Sequence, residues 1–291
     1  MSELPVRRPA VAGQFYPGYR ASCVKDIEQY LPAGPSPDLP KKIVAGLVPH
    51  AGWSFSGAVA ARVFAAINAQ GAPETFVLVS AMHRWGAPRP AVYARGRWAT
   101  PMGEVEVDEE LAAAVIEAGD GLLINSPEAH SSEHSIEVQV PFIQYLFPGA
   151  KILPIMIPPN EDAARAGEVI GQAVSTAQRP IAVVGTTDLT HYGATYYGFA
   201  PAGTGERALE WVRTNDERVI NLILGLQAEE IVAETTAHHN ACGGGAVAGT
   251  VAAARTLGAK KGYLLEYTTS HHVMPSGPAS NFVGYAAVVF A

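Results

Sequence analysis

The sequence predicts an α/β fold: a single-domain sandwich, residues 1–291, with a central mostly parallel or mixed sheet covered by helices on both faces. Three observations predict it. Apolar runs of strand length recur at 42–48, 75–79, 151–157 and 181–185. Between them lie stretches with apolar residues at helical spacing. Three of those runs also lead into side chains that bind metals or move protons, at His50, His83 and the pair Asp188 and His191. In an open α/β sheet, ligands bind beyond the carboxyl ends of the strands, so three such ends can share one rim.

The elements follow in order. Residues 5–18 are rich in Pro, Gly and aromatics and read as an extended arm, followed by a helix over 21–31 that Pro32 ends. Four prolines make 31–40 a surface loop. A helix is predicted over 58–70, with Val59, Val63, Phe64 and Ile67 on one face and Gly71-Ala72-Pro73 as its stop. Asp108 is a good N-cap for 109–118, whose first turn is acidic as the helix dipole prefers. Ser132-Glu133 signals a helix start, with Pro141 as a kink and Phe147-Pro148-Gly149 as the end. Helices over 162–178 and 206–224 and strands over 262–268 and 284–290 complete the chain. Asn240-Ala241-Cys242 opens one more helix, rich in Gly and Ala.

Bulk properties exclude several classes. Nearly half the residues are apolar and 16% are charged, which suits a packed enzyme-like core. A net charge of −7 with no Lys/Arg run argues against a nucleic-acid partner. No apolar stretch is long enough to span a membrane, and the first residues lack the apolar core of a secretory signal. Two cysteines, Cys23 and Cys242, make no disulfide framework, so a cytoplasmic setting is expected. Oligomeric state stays open, a homo-oligomer included.

Each chemical residue has an ordinary reading beside the functional one. His50 and His83 follow strands and sit where ligands bind, yet either could merely satisfy backbone, and Arg84-Trp85 could pair with His83 in a cation–π cluster. Asp188 stands three residues before His191 and could orient it as an acid/base, or simply cap a helix. Cys242 can be a soft metal ligand, which beside two imidazoles suits iron, copper or zinc. It can equally be a nucleophile served by His191 and Asp188, or a small buried hydrophobe, the fate assigned to Cys23. His130-Ser131-Ser132-Glu133-His134 spells a zinc-protease motif. That motif needs one continuous helix, whereas the start signal at Ser131-Ser132 leaves His130 in a preceding loop. His134 and Glu137 are therefore expected to support the site from behind the ligands. Of each pair His238-His239 and His271-His272, at most one member can face the pocket. Gly243-Gly244-Gly245 is not followed by Lys-Ser/Thr and follows no strand, so no nucleotide cofactor is expected.

Taken together, several segments resemble the Memo family: Arg8-Pro9-Ala10-Val11-Ala12-Gly13-Gln14-Phe15-Tyr16-Pro17, Pro49-His50-Ala51-Gly52-Trp53, Glu133-His134-Ser135-Ile136-Glu137, Thr187-Asp188-Leu189-Thr190-His191-Tyr192-Gly193, Cys242-Gly243-Gly244 and Val283-Gly284-Tyr285. The resemblance runs from near the N-terminus to the last strand. It implies a fold similar to the class III extradiol ring-cleaving dioxygenases, with a metal pocket at one edge of the sheet. It implies that His50, His83 and Cys242 bind the metal while Asp188 and His191 line the pocket. In the dioxygenases a carboxylate stands where Memo-like proteins carry the cysteine, which makes this site softer. Two departures stand out: Ser80-Ala81-Met82-His83 replaces a usual Gly-Pro-x-His run, and His271-His272-Val273-Met274 replaces small and acidic residues. The expectation is a metal-dependent oxidoreductase, iron(II) before copper, acting with dioxygen on a small aromatic or phenolic substrate. Two alternatives are a non-enzymatic metal- or partner-binding protein on the same scaffold, and a metal-free Cys-His-Asp hydrolase.

Overall fold

The computed structural model describes residues 4–34, 39–83 and 88–291. Residues 35–38 of the proline-rich loop and the Arg84-Trp85 pair lie outside the described residues. The arm carries β1 (Val6–Arg7) and leads into α1 (Arg20–Tyr30). β2 (Ala45–Val48) delivers His50, and α2 (Trp53–Asn68) follows it. Periodicity predicts that this helix begins at 58, and the structure begins it at Trp53. Gly57, which breaks the pattern, is a contact point: a Cβ there would lie 2.7 Å from the Tyr30 ring.

β3 (Thr75–Ser80) leads to His83, and β4 (Ala91–Val92), β5 (Arg97–Thr100) and β6 (Gly103–Glu106) follow. Asp108 caps α3 (Glu109–Ala118) by accepting the Leu111 amide. Beyond β7 (Ile124–Asn125), the helix predicted from Ser132 is absent. Two short 3₁₀ turns, Pro127–His130 and Glu137–Gln139, stand there before α4 (Val140–Leu146). The reason lies in Glu133, whose carboxylate accepts the backbone amides of His134 (3.0 Å) and Ser135 (2.9 Å). Those amides are satisfied without a helical turn. Pro141 falls in the first turn of α4, where its missing N–H costs nothing, so it starts that helix rather than kinking it.

β8 (Lys151–Met156), α5 (Ala163–Thr176) and β9 (Ile181–Thr186) alternate as predicted, and β10 (His191–Gly193) follows directly. α6 (Glu206–Leu224), α7 (Ala228–His238) and α8 (Gly244–Thr256) then run consecutively. β11 (Gly262–Thr269), α9 (Ser270–Val273) and β12 (Asn281–Phe290) complete the described elements.

The main sheet is mixed, in the order β10-β12-β2-β9-β3-β8-β4-β7, with β11 also paired to β12. Its centre is parallel, with β2 and β3 flanking β9 and β8 beyond β3, while β12 joins β2 antiparallel. β1, β5 and β6 form a separate small sheet. Successive strand residues point to opposite faces, and each face has its own core. Val77, Val79, Leu153, Ile155 and Val183 join one beneath α3, α5, α7 and α8; Phe76, Leu78, Ile152 and Val184 join the other beneath α1, α2 and α4. Truncating a buried Leu or Ile here to Ala costs about 2–5 kcal/mol by the usual cavity rule. Among the described residues, no helix is long and apolar enough to cross a membrane.

Candidate metal centre

The parallel strands β2, β3 and β9 end together and bring His50, His83 and Asp188 to one rim. His50 is 1% exposed. Its Nδ1 lies 2.9 Å from Thr186 Oγ1, and its backbone amide donates to Asp188 Oδ1 at 2.7 Å. With Nδ1 engaged, Nε2 faces the Cys242 sulfur at 3.2 Å.

Cys242 is brought there by the start of α8. Its amide donates to the Asp188 carbonyl at 3.1 Å, and the Gly243 amide donates to Thr187 Oγ1 at 3.0 Å. The three glycines that follow are a packing device. A Cβ at Gly243, Gly244 or Gly245 would collide with Thr186 O, Thr235 Oγ1 or Pro158 O respectively, so only glycine lets the start of α8 sit this close to β9, α7 and the segment after β8.

His83 is gripped by Glu133. One carboxylate oxygen lies 3.0 Å from His83 Nδ1, and the other accepts the His83 backbone amide at 3.1 Å. The same carboxylate lies 3.4 Å from His134 Nδ1. His83 and His134 stack with centroids 4.9 Å apart, and His50 stands edge-on to both. One nitrogen from each of His50, His83 and His134 lies within 4.8 Å of the others, so these three can hold a metal ion. The Cys242 sulfur, expected from the sequence as a ligand, lies 3.2 Å from His50 Nε2, beside this trio and outside it, while His134 takes the third place. Imidazole and thiolate suit iron, copper or zinc and not the hard cations magnesium and calcium, so the donor set fits a transition metal.

Without a metal, charge couples the thiol to the imidazoles. Burial alone would keep the Cys242 thiol protonated, but the positive charge of His50 and the contacts to His50 and His83 bring its pKa down to about 5. Burial opposes protonation of His83, yet Cys242 and Glu133 raise it to about 10. Glu133 is held well below the usual carboxylate range by His83 and by the Ser135 amide, against the cost of burial. His134 goes the other way, down to about 4, through burial and the charge of His50.

Asp188 and His191 stand 3.9 Å apart, too far for a hydrogen bond, and are paired by charge. Burial disfavours the His191 proton, but Asp188 and Cys242 outweigh it and raise the pKa. Among the described residues His191 Nε2 has no hydrogen-bond partner. A cleft of about 550 Å³ opens above the cluster, lined by the three histidines, Asp188, His191 and the aromatic side chains Phe15, Phe55, Tyr197 and Tyr285.

Two expected positions differ from the sequence reading because the helix at 132 is missing. His134, expected behind the ligands, has its ring at ligand distance. Glu137, expected beside it, is buried beneath the arm instead, accepting from Arg7 (2.8 Å), the Ala10 and Val11 amides (2.7 and 3.0 Å) and Tyr16 (3.0 Å). Its link to the site runs through the arm, since the Phe15 ring packs, tilted, against His134 with centroids 4.8 Å apart. His130 is fully buried, with Nε2 3.1 Å from the Ala91 carbonyl, and is not among the clustered histidines. Cys23 is buried and donates to Pro17 O. His271 lines the cleft, whereas the ring of His272 turns to Thr269 at 2.8 Å. The sequence reading missed Glu133 as the group that orients His83, although it lies inside the Glu-His-Ser-Ile-Glu block. It also missed Thr186 behind His50, which no local signal marks.

Residues 7–289 match a family model described as Memo-like protein. A MEMO1 family protein of Thermococcus onnurineus (strain NA1) is 40% identical over 297 residues, covering 98% of this chain and 99% of that protein. One from Pyrococcus abyssi (strain GE5 / Orsay) is 37% identical over 292 residues, with 98% and 99% covered. Among solved structures, the uncharacterized Escherichia coli K12 protein JW3007 gives a TM-score of 0.47 at 13% identity, covering 86% of this chain and 100% of that one.

Proposed function

The chain belongs to the Memo family, and from that premise we propose that it is a metal-dependent oxidoreductase. Iron(II) is the first choice of metal and copper the second, and the substrates are dioxygen and a small aromatic or phenolic compound. The observation that carries this reading is the convergence of three imidazoles, from separate elements, at the floor of an aromatic-lined cleft, with the Cys242 thiol against one of them from behind. When bound, an iron or copper ion supplies a redox centre and a Lewis acid.

The protein's own residues would do the rest. His191, whose ring lines the cleft, takes or gives the phenolic proton, and Asp188, 3.9 Å from its Nε2, favours its charged form. Glu133 fixes which nitrogen of His83 is free. Phe55 and Tyr197 offer flat apolar walls to a ring. Metal analysis of protein purified without chelators, followed by oxygen uptake on a panel of phenols, tests the proposal. Stoichiometric metal with metal-dependent uptake supports it. Stoichiometric metal with no uptake on any phenol favours a metal-handling protein instead.

A hydrolase reading has one observation in its favour, the Cys242–His50 contact at 3.2 Å with the Asp188 carboxylate on the His50 amide. The pairing runs through His50 and not through His191. Ester or amide turnover that survives exhaustive chelation would establish it.

A further inference from the structure

The donor cluster stands in a wall between two hollows. The cleft described above is lined by His50, His83 and His134 but not by Cys242. A second hollow, about 610 Å³, is lined by Cys242 and by none of those three histidines. His191, Tyr196 and Tyr197 line both, so the exposed segment 194–198 is the partition between them. The His191 and Tyr197 rings lie 5.0 Å apart within that partition.

The second hollow has a distinct chemistry. Cys242 is partly accessible there, and His239, exposed, offers an imidazole in the same hollow. Leu189, Phe199 and Ala241 add apolar wall beside Thr235 and the His191 ring. Among the described residues no carboxylate lines it, so a hard cation finds no charged oxygen partner there. A thiol and imidazoles with no carboxylate among the described lining residues select soft, thiophilic metal ions. The cleft, in contrast, is the more aromatic surface, with flat rings around the histidines.

We propose that this hollow is a separate entry route by which a soft metal ion reaches Cys242, leaving the histidine-lined cleft to the organic substrate. This rests on the metal-centre reading above and adds a path to it. The physical signature of a route is kinetic. Narrowing a passage slows entry and exit equally and leaves the equilibrium constant unchanged, whereas removing a ligand changes the constant.

The test uses full-length protein freed of bound metal, with cadmium ion as probe and the ultraviolet thiolate-to-cadmium absorption as signal. Ala241→Leu and Phe199→Trp each narrow the hollow from a different wall. In stopped-flow mixing, both should slow cadmium entry and exit by about tenfold or more with the dissociation constant unchanged. Phe55→Trp, which crowds the cleft, should leave both rates as they are. Entry slowed by Phe55→Trp and indifferent to the other two would place the route in the cleft and overturn the proposal. A dissociation constant that rises in step with the slowed entry would also overturn it, since the hollow would then act on binding and not on passage. Wild-type protein with no cadmium–thiolate band would sink the metal centre and the route together. A normal band with rates insensitive to both hollow-filling variants would sink the route alone.

Discussion

Glu133→Gln tests how far one carboxylate organises the cluster. The glutamate accepts four bonds: the His83 amide on one oxygen, and His83 Nδ1 with the His134 and Ser135 amides on the other. A glutamine can keep its oxygen where three donors converge. Its NH₂ must then face the His83 amide, donor against donor. The variant thus loses one charge-assisted bond and the negative charge beside His83, while the turn that replaces the predicted helix stays intact. A hydrogen bond to a charged group contributes about 1.5–3 kcal/mol. At 1.4 kcal/mol per decade this corresponds to about 10–100-fold in metal affinity, the usual scale for groups that orient ligands. Competition with a chromophoric chelator measures it, with thermal melting as the check on folding. The charge argument has its own readout. In metal-free protein the His83 pKa, raised to about 10 with Glu133 present, should fall by NMR titration. An affinity within twofold of wild type, with the His83 titration unmoved, would refute the reasoning.

Three further outcomes follow from the same geometry. Cys242→Ser should sharply reduce bound metal in elemental analysis while far-ultraviolet circular dichroism stays unchanged, because serine fills the same space without a soft donor. His191→Ala should lower turnover by about 10²–10⁴-fold with metal content unaltered, and equal loss of both would make it a ligand. Asp216 gives a pH dependence: fully buried on α6, it accepts from the Thr190 amide (2.9 Å) and Tyr267 (2.8 Å), and burial raises its pKa to about 7. The folded state therefore holds a proton that the unfolded chain releases near 3.8, so stability should fall as pH rises from there to about 7 and level off above. Asp216→Asn mimics the protonated acid and should flatten that part of the profile in denaturant titrations. A profile identical to wild type would contradict the assignment.

Much of the rim was legible because its signals are local. An apolar run followed by His50, His83 or Asp188 places a side chain past a strand end regardless of what lies elsewhere. α3 was equally legible, since Asp108 and the two glutamates after it are a self-contained N-terminus. The failures are non-local. Ser132-Glu133 looks like a helix start, but Glu133 turns its carboxylate onto its own backbone and onto His83, fifty positions upstream. Losing that helix put His134 among the clustered histidines and left Glu137 buried beneath the arm. Arg7 is the other case: nothing in the sequence announces that an arginine in an extended arm will be 6% exposed, bonded to Glu137, and laid over the Trp98 ring at 4.1 Å. β10 escaped notice because three residues give too little period to read.

The position of β12 sets an order of events. This strand is made after every other described element, yet it lies inside the sheet, pairing Val288 with Leu47 of β2 and joining β10 and β11 as well. Its first half also walls the cleft, through Asn281, Phe282, Val283 and Tyr285. While a ribosome still holds that segment, β2 has an open edge and His50 sits at the end of an unfinished sheet. All the donor side chains have by then been synthesised, but the cleft has no far wall. On the function proposed above, metal would meet its donors before substrate has a complete cleft, and a product truncated before β12 should bind metal without turning substrate over.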